Sequence, residues 1–538
     1  MQRKTTYWLA LLIVVFAFFL RVWGLERDAP PLDLLRDEAP WTDEGTISRD
    51  PLETINQGKP CYDLAFAGGR SIHKIMLCGV FRYFDVGRIQ GRWLSVFIGM
   101  IGLLSLRELG SEVWADYGGI LAFLVVGTGF FFVVYDRLIL TEGILVALLS
   151  LTFLVAIKTQ NRFGSGLIGV GLGVLIMGFK LHALALVPAL VFFYWLRRRH
   201  MVFPFIMGLG LMIFVWRVVL MPRASISQVV YVPSRMVDKN MGLAGLPTAL
   251  LQVVWAGLPV YYFPYQLPLM LFSVLEGTVF LLRPSRWLRK TSDVSLISLV
   301  WFIFALVGAS AFKYYPARYY HFASPPLVIL SVAGMRRLWE GCAFPSSTRL
   351  RRWMTSIGLG SLFMIQVFYL PSLLGEWAFM ICIIGSLAPI LLFRISSKSS
   401  LGWGYKDRVR RAVFAFLLLI QITIQGALFH KGVVMSRPDL PDIAAQLAFD
   451  LPNDALVTGR LAGTLALSGD FTGLPILDEV SLIQIEQLAK ESPVWIVVLE
   501  GDQWRVDSRL WSYLVDLRSF PVRYSRKSRS LEIWRFEE

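Results

Sequence analysis

The stretch Arg3–Trp23, RKTTYWLALLIVVFAFFLRVW, sets an unbroken apolar run, Tyr7 to Leu20, shortly after the basic pair Arg3-Lys4. A basic flank and an apolar run together imitate a secretory signal, but Arg21, Val22 and Trp23 follow where a small-residue cleavage site would be needed. The stretch is therefore expected to remain as a first membrane span with its N-terminus on the cytoplasmic side. The rest of the chain repeats the pattern: of 538 residues, 55% are apolar and 17% charged, and the mean hydropathy is +0.58. Soluble domains need a more polar exterior, so a bilayer is the expected solvent.

A spanning helix takes about 20 mostly apolar residues, and about thirteen runs of that order occur. They lie near 6–24, 91–106, 118–135, 142–157, 164–179, 181–196, 202–220, 265–282, 293–312, 319–335, 354–371, 377–394 and 412–429. With the N-terminus inside, alternate loops are cytoplasmic, and those loops hold Lys158 and Arg162, Arg197 to Arg199, Arg283 to Lys290, Arg336 to Arg352, and Arg394 to Arg411. The loop after the second span, with Arg107 among Glu108, Glu112 and Asp116, fits less well, but acidic residues count little in this rule. Two apolar stretches, 72–84 and 251–262, are too short or interrupted to span and read as interfacial or re-entrant helices. The net charge of +15 is spread through these loops rather than gathered into one patch. It therefore speaks for topology and anionic membrane lipids, and nucleic acid is not an expected partner.

The thirteenth span carries the chain outside, and from about Met435 short strand and helix patterns alternate: apolar 455–458, helical 481–490, strand-like 494–499 and helical 508–517. The expected architecture is an α-helical polytopic membrane protein, 1–434, with a long first external loop at 26–90, followed by a small extracytoplasmic α/β domain, 435–538. No glycine-rich phosphate loop occurs in that domain, so a structural or acceptor-binding role is expected there rather than a nucleotide site. The four cysteines form no zinc-type spacing; Cys61 and Cys78 fall on the oxidising side and are expected as unpaired thiols, with pairing as the alternative.

Ionisable groups at membrane depth are costly, and their positions are the main guide to chemistry. The first external loop contains Trp41-Thr42-Asp43-Glu44-Gly45. Its carboxylates fit a solvated helix start capped by Thr42 or Asp43, which is the favoured reading of the motif alone, and also fit a catalytic pair. The second external loop places Asp136, Arg137 and Glu142 within seven residues. A local Asp136–Arg137 bridge would account for two of them, and exposure at the interface for Glu142. Lys180, Lys313 and Arg318 fall on the same expected face, where the positive-inside bias should leave few cations, and Arg92 stands at the start of the second span.

Taken in order and sidedness, these features resemble the GT-C glycosyltransferases, in particular the group of dolichyl-phosphate-mannose protein mannosyltransferases and lipid A aminoarabinose transferases. The resemblance rests on Asp43-Glu44, the Gly-Arg-x-Leu-Ser run Gly91 to Ser95, Arg137 to Glu142, Lys180, and Arg318-Tyr319 followed by Pro325. Glu142 stands where an aspartate is often seen. The resemblance implies an inverting transfer of a sugar from a polyprenyl-phosphate donor, undecaprenyl or dolichyl, to a hydroxyl of a lipid, protein or polysaccharide at the external face of the cell membrane.

Such a reaction needs a carboxylate to take the acceptor proton and cations to stabilise the departing phosphate. On that basis Asp43 is the expected base, with Glu44 and Glu142 orienting it or the acceptor. Arg137, Lys180 and Arg318 are expected to hold the donor phosphate, and Arg92, Tyr319 and His321 to line the substrate site. No cofactor is required, although Mg or Mn could bind if Asp43, Glu44 and Glu142 converge. A polytopic transporter or lipid-linked sugar flippase is the competing reading; it would place charges deep within broken helices rather than at external helix ends.

Overall fold

A computed structural model describes residues 3–30, 39–66, 70–220, 273, 276–277, 292–310, 317–340 and 403–436, and toward the C-terminus 439–452, 455–459, 461–467, 472–474, 482–490, 493–499, 512–522 and 529–537. The expected spans at 354–371 and 377–394, most of 265–282, the short run 251–262 and Lys313 lie outside the described residues.

In chain order the helices are α1 (Arg3–Val22), α2 (Ala39–Asn56), α3 (Ser71–Phe84), α4 (Arg88–Thr128), α5 (Phe130–Tyr135), α6 (Thr141–Lys158), α7 (Arg162–Gly178), α8 (Leu186–Arg197), α9 (Val202–Val215), α10 (Asp293–Ser310), α11 (Ala317–Tyr320), α12 (Ser324–Trp339), α13 (Trp403–Phe429), α14 (Asp439–Asp450), α15 (Ala462–Ala466) and α16 (Leu482–Ala489). Strands β1 (Leu456–Gly459), β2 (Thr472–Leu474), β3 (Val494–Leu499), β4 (Leu514–Val522) and β5 (Arg529–Phe536) complete the described elements. The chain divides into two compact units, one of Met1–Leu20, Gly99–Val133 and Leu145–Leu428, the other of Arg21–Ile98, Val134–Ile144 and Phe429–Glu538.

Among the described residues, the helical stretches Arg88–Thr128, Thr141–Lys158 and Arg199–Val218 are long and apolar enough to cross a bilayer, and Tyr7–Val22, Arg162–Gly178, Leu181–Arg197 and Asp293–Ala309 are shorter apolar helices. Trp8, Leu12, Val15 and Phe19 of α1 are exposed at three- and four-residue spacing, as are Phe203, Met207, Leu211 and Phe214 of α9. An apolar stripe of this kind is stable against lipid tails and unstable against water.

The first unit shows how two expected spans become one helical hairpin. Backbone at Trp114 (φ −146°) and Ala115 (φ +42°) leaves the helical region inside α4. A Cβ on Gly118 would stand 2.2 Å from the Gly110 carbonyl oxygen, so the two arms meet backbone to backbone. Only glycines permit that approach, and the reversal needs two residues where the sequence suggested a loop from 107 to 117. Elsewhere in this unit α10 packs against α8 and α12, with Trp301 fully buried edge-on to Phe153.

The second unit joins Arg21–Ile98 and Val134–Ile144 to the C-terminal segment. Its sheet has the order β2-β1-β3-β5-β4. Strands β2, β1 and β3 run parallel, and β5 runs antiparallel to both β3 and β4. Ile485, Val494, Ile496, Val498, Leu514 and Phe536 form a buried cluster on this sheet. The strands expected near 455–458 and 494–499 and the helix near 481–490 are present, but 514–517, expected to be helical, begins β4. A register shift between Val515 and Arg518 lets β4 pair along β5, and Pro521 is tolerated because β4 lies at the sheet edge. Strand pairing here overrides local helical spacing.

Cys61 and Cys78 form a disulfide with Cα atoms 5.7 Å apart, which corrects the expectation of free thiols. Folding of α3 back onto the Cys61–Phe66 turn supplies the proximity that a 17-residue separation could not show in the sequence.

Candidate active site

Helix α2 opens at Ala39, so Asp43 and Glu44 lie in its second turn and neither caps it, contrary to the helix-start reading. Successive helical residues are separated by about 100° around the axis, so these carboxylates face different surroundings. Glu44 is fully buried. Its Oε1 accepts from Arg92 Nε at 2.8 Å and from the Ile139 amide at 2.9 Å, and its Oε2 accepts from Arg92 Nη2 at 2.7 Å and Arg88 Nε at 3.1 Å. Four donors saturate a carboxylate. Burial alone would raise the Glu44 carboxyl, but the Arg92 and Arg88 charges outweigh it and hold the group at about 2, so it stays ionised at any working pH.

The network extends in both directions. Arg88 Nη1 donates to Asp28 Oδ1 at 2.9 Å, while Asp28 Oδ2 accepts from the Leu440 amide at 3.0 Å. Arg92 Nη1 donates to the carbonyls of Leu25 at 2.7 Å and Arg27 at 2.5 Å. Arg92, expected to line a substrate site, thus has every guanidinium nitrogen engaged by protein. At Gly45 the helix meets α15 so closely that a Cβ would stand 2.2 Å from the backbone carbon of Gly463. A buried ion network and a backbone contact therefore clamp α2 onto the start of α4, the turn at Ile139 and the C-terminal segment.

Asp43 is held differently. Its one ion pair among the described residues is with Arg70, at 3.7 Å, and its side chain is 13% exposed. Arg70 sits at φ +68°, the left-handed region. A non-glycine residue there costs on the order of 1–3 kcal/mol, a strain that tends to gather at functional sites.

Between α5 and α6, Asp136 pairs with Arg21, at 3.0 and 2.8 Å, and not with its neighbour Arg137. Arg137 is thereby left to other partners. It is 4% exposed and donates from Nη2 to the Gly24 carbonyl, and its buried Nη1 has no hydrogen-bond partner among the described residues. Burial and the charges of Arg92 and Arg27, partly opposed by Glu26 and Glu44, lower its pKa to about 9. Glu142, in the first turn of α6, is fully buried rather than exposed at an interface. Beside it, Thr141 Oγ1 lies 3.0 Å from His73 Nδ1. Burial, aided by Arg70 and Lys74 against Glu142, pushes His73 down to about 3, so it is neutral.

The other expected cations belong to the first unit. Lys180 follows α7 and precedes the short 3-10 turn Leu181–Ala185, and Arg318 lies in α11. Lys180 Nζ stands 4.6 Å and Arg318 Cζ 5.4 Å from the centre of the Tyr319 ring. His182 packs against Tyr319 at 4.5 Å and Phe322 at 4.8 Å. His321 meets Phe132 edge-on at 5.1 Å and its Nδ1 lies 3.3 Å from Ser324 Oγ. The structure thus joins Lys180, Arg318 and Tyr319, and separately joins Glu44 and Arg92 near Ile139. Among the described residues no three His, Cys, Asp or Glu side chains form a metal-binding group, and Asp43, Glu44 and Glu142 make no such set.

Sequence reasoning passed over Arg88, Asp28, Arg21 and His73. Arg88 had a visible signal, its four-residue spacing from Arg92 on one helix face. The other three are assembled only by contacts between distant segments.

No family model and no curated protein matches the chain by sequence. Among solved structures, it is similar to ArnT, the lipid A aminoarabinose transferase, of Cupriavidus metallidurans bound to undecaprenyl phosphate, with a TM-score of 0.58 at 15% identity over 99% of this chain and 98% of that one. The apo form of the same protein gives 0.54 at 14% identity over the same shares. The Archaeoglobus fulgidus oligosaccharyltransferase complex with Zn and sulfate gives 0.43 at 11% identity, over 91% of this chain and 67% of that one. Over nearly its whole length the chain therefore has the fold of ArnT.

Proposed function

We propose that the protein is a membrane glycosyltransferase of the GT-C kind that moves a sugar from a polyprenyl-phosphate donor to an acceptor hydroxyl, with Asp43 as general base. The observation that carries this reading is the division of labour between adjacent carboxylates: Glu44 is saturated by four donors, whereas Asp43 has a single, long ion pair among the described residues. One anchors the helix and the other is available to exchange a proton. The ArnT fold, seen in that protein with undecaprenyl phosphate, supports the donor class.

The acceptor O–H proton passes to the Asp43 carboxylate as the oxygen attacks the anomeric carbon. The bond from that carbon to the phosphate oxygen breaks, its electron pair leaves with the polyprenyl phosphate, and the anomeric centre inverts. Arg137, a buried guanidinium with an unbonded nitrogen among the described residues, is assigned to the phosphate. The resemblance assigns Lys180 and Arg318, beside Tyr319, to a donor phosphate as well. The Cys61–Cys78 disulfide favours an oxidising, extracytoplasmic setting for the first loop.

The test is sugar transfer by the purified protein in lipid, from a panel of radiolabelled polyprenyl-phosphate sugars. Transfer by the wild type that is lost in a folded Asp43→Asn variant supports the proposal. No consumption of any donor, together with movement of labelled lipid across vesicles, overturns it in favour of a transporter.

A further inference from the structure

A cavity of about 460 Å³ lies within the second unit, bordered by Glu26, Arg88 and Gln90 on one side and by Pro441 and Ala448 of α14 and Leu467 after α15 on another. Its size falls in the range of sites that enclose a small organic ligand, ~300–1,000 Å³. Arg88 is only 3% exposed, and its Nη2 is buried with no hydrogen-bond partner among the described residues, although Nε and Nη1 are bonded. A buried guanidinium nitrogen without an acceptor costs free energy, and Arg88 Nη2, which has almost no accessible surface, meets a ligand oxygen only when the cavity wall beside it shifts. Glu26 and Gln90 add an acceptor and an amide that both donates and accepts.

Planar side chains of this kind match the neighbouring hydroxyls of a sugar ring, and the apolar wall matches its C–H face. An acyl chain would meet a carboxylate and a guanidinium in so small a space. A peptide strand would need an open sheet edge, and no strand residue lines the cavity. The same Arg88 guanidinium bonds Glu44, the residue beside Asp43.

We propose that this cavity is a saccharide subsite that receives a sugar ring of the acceptor, resting on the transferase reading above. Helix α14 and the segment after α15 thereby give the C-terminal region a part in choosing the acceptor.

The experiment uses the full chain in nanodiscs and a panel of methyl pyranosides and disaccharides, with binding followed by saturation-transfer NMR. Ala448→Trp fills the cavity, Gln90→Leu removes its amide, and Phe449→Trp, at a neighbouring side chain that is 90% exposed, is the control. The wild type and Phe449→Trp are expected to bind at least one saccharide, Gln90→Leu to bind it severalfold more weakly, and Ala448→Trp at least tenfold more weakly, with undecaprenyl-phosphate affinity and melting temperature preserved. Equal saccharide binding by Ala448→Trp and wild type overturns the subsite, as does binding of none of the panel by the wild type. Undecaprenyl-phosphate binding and donor consumption, measured on the same samples, judge the transferase reading separately.

Discussion

The two charged clusters hold their arginines and lysines in opposite ways. Around Glu44, in the second unit, charges neutralise one another through direct hydrogen bonds in a buried setting. Around Tyr319, in the first unit, Lys180 and Arg318 stand against the face of an aromatic ring. Removing one partner from a buried ion pair costs about 3–5 kcal/mol, whereas a cation–π contact contributes about 0.5–2 kcal/mol. The first arrangement builds a rigid platform; in the second, the contact with the ring itself adds little to stability.

The largest expected effect is on catalysis. Asp43→Asn should lower transfer by on the order of 10²–10⁴-fold with little change in melting temperature, because its pairing with Arg70 is long; a large loss of stability would place Asp43 in the platform instead. Glu44→Ala should destabilise the protein by about 3–5 kcal/mol, since it leaves two buried guanidinium groups without their shared carboxylate. Thermal unfolding in lipid would measure this, and a loss smaller than that of Lys180→Ala would break the comparison.

Glu44 also makes the platform sensitive to acid. Its pKa falls from the ordinary 4.5 to about 2 on folding, so the stabilisation is complete above about pH 4.5 and is lost as pH falls toward 2. The melting temperature should be insensitive to this group from pH 7 to 5 and decline below that, and Glu44→Gln should remove the corresponding part of the slope. Opening the disulfide with Cys61→Ser should cost about 3 kcal/mol through the freed loop, detectable as a lower unfolding midpoint than that of the oxidised wild type. The smallest expected change is in Lys180→Ala, whose affinity for undecaprenyl phosphate should fall about tenfold, equivalent to about 1.4 kcal/mol. An unchanged affinity would assign Lys180 to packing on Tyr319.

The clusters were legible in the sequence to different degrees. Lys180 and Arg318 stood out because the expected topology should leave few cations at those helix ends, and they do share one aromatic neighbour. Asp43 and Glu44 stood out as a pair, yet adjacency concealed that one is buried and the other is not. Asp136 and Arg137 misled for the same reason: the nearest opposite charge in sequence is not the partner, because Arg21 comes to Asp136 from 115 residues away.

Apolar run length by itself determined that this is a mostly helical chain with several helices apolar enough to cross a bilayer, because solvent sets that pattern without reference to any particular contact. It also located the short strands around 455–458 and 494–499. Tertiary structure alone decided the helical hairpin closed by Gly110 and Gly118, the Cys61–Cys78 bond, the edge strand from Leu514 and the saturation of Glu44. Each depends on atoms that approach within a few ångströms across long stretches of chain. One-dimensional spacing carries no such distances; only packing sets them.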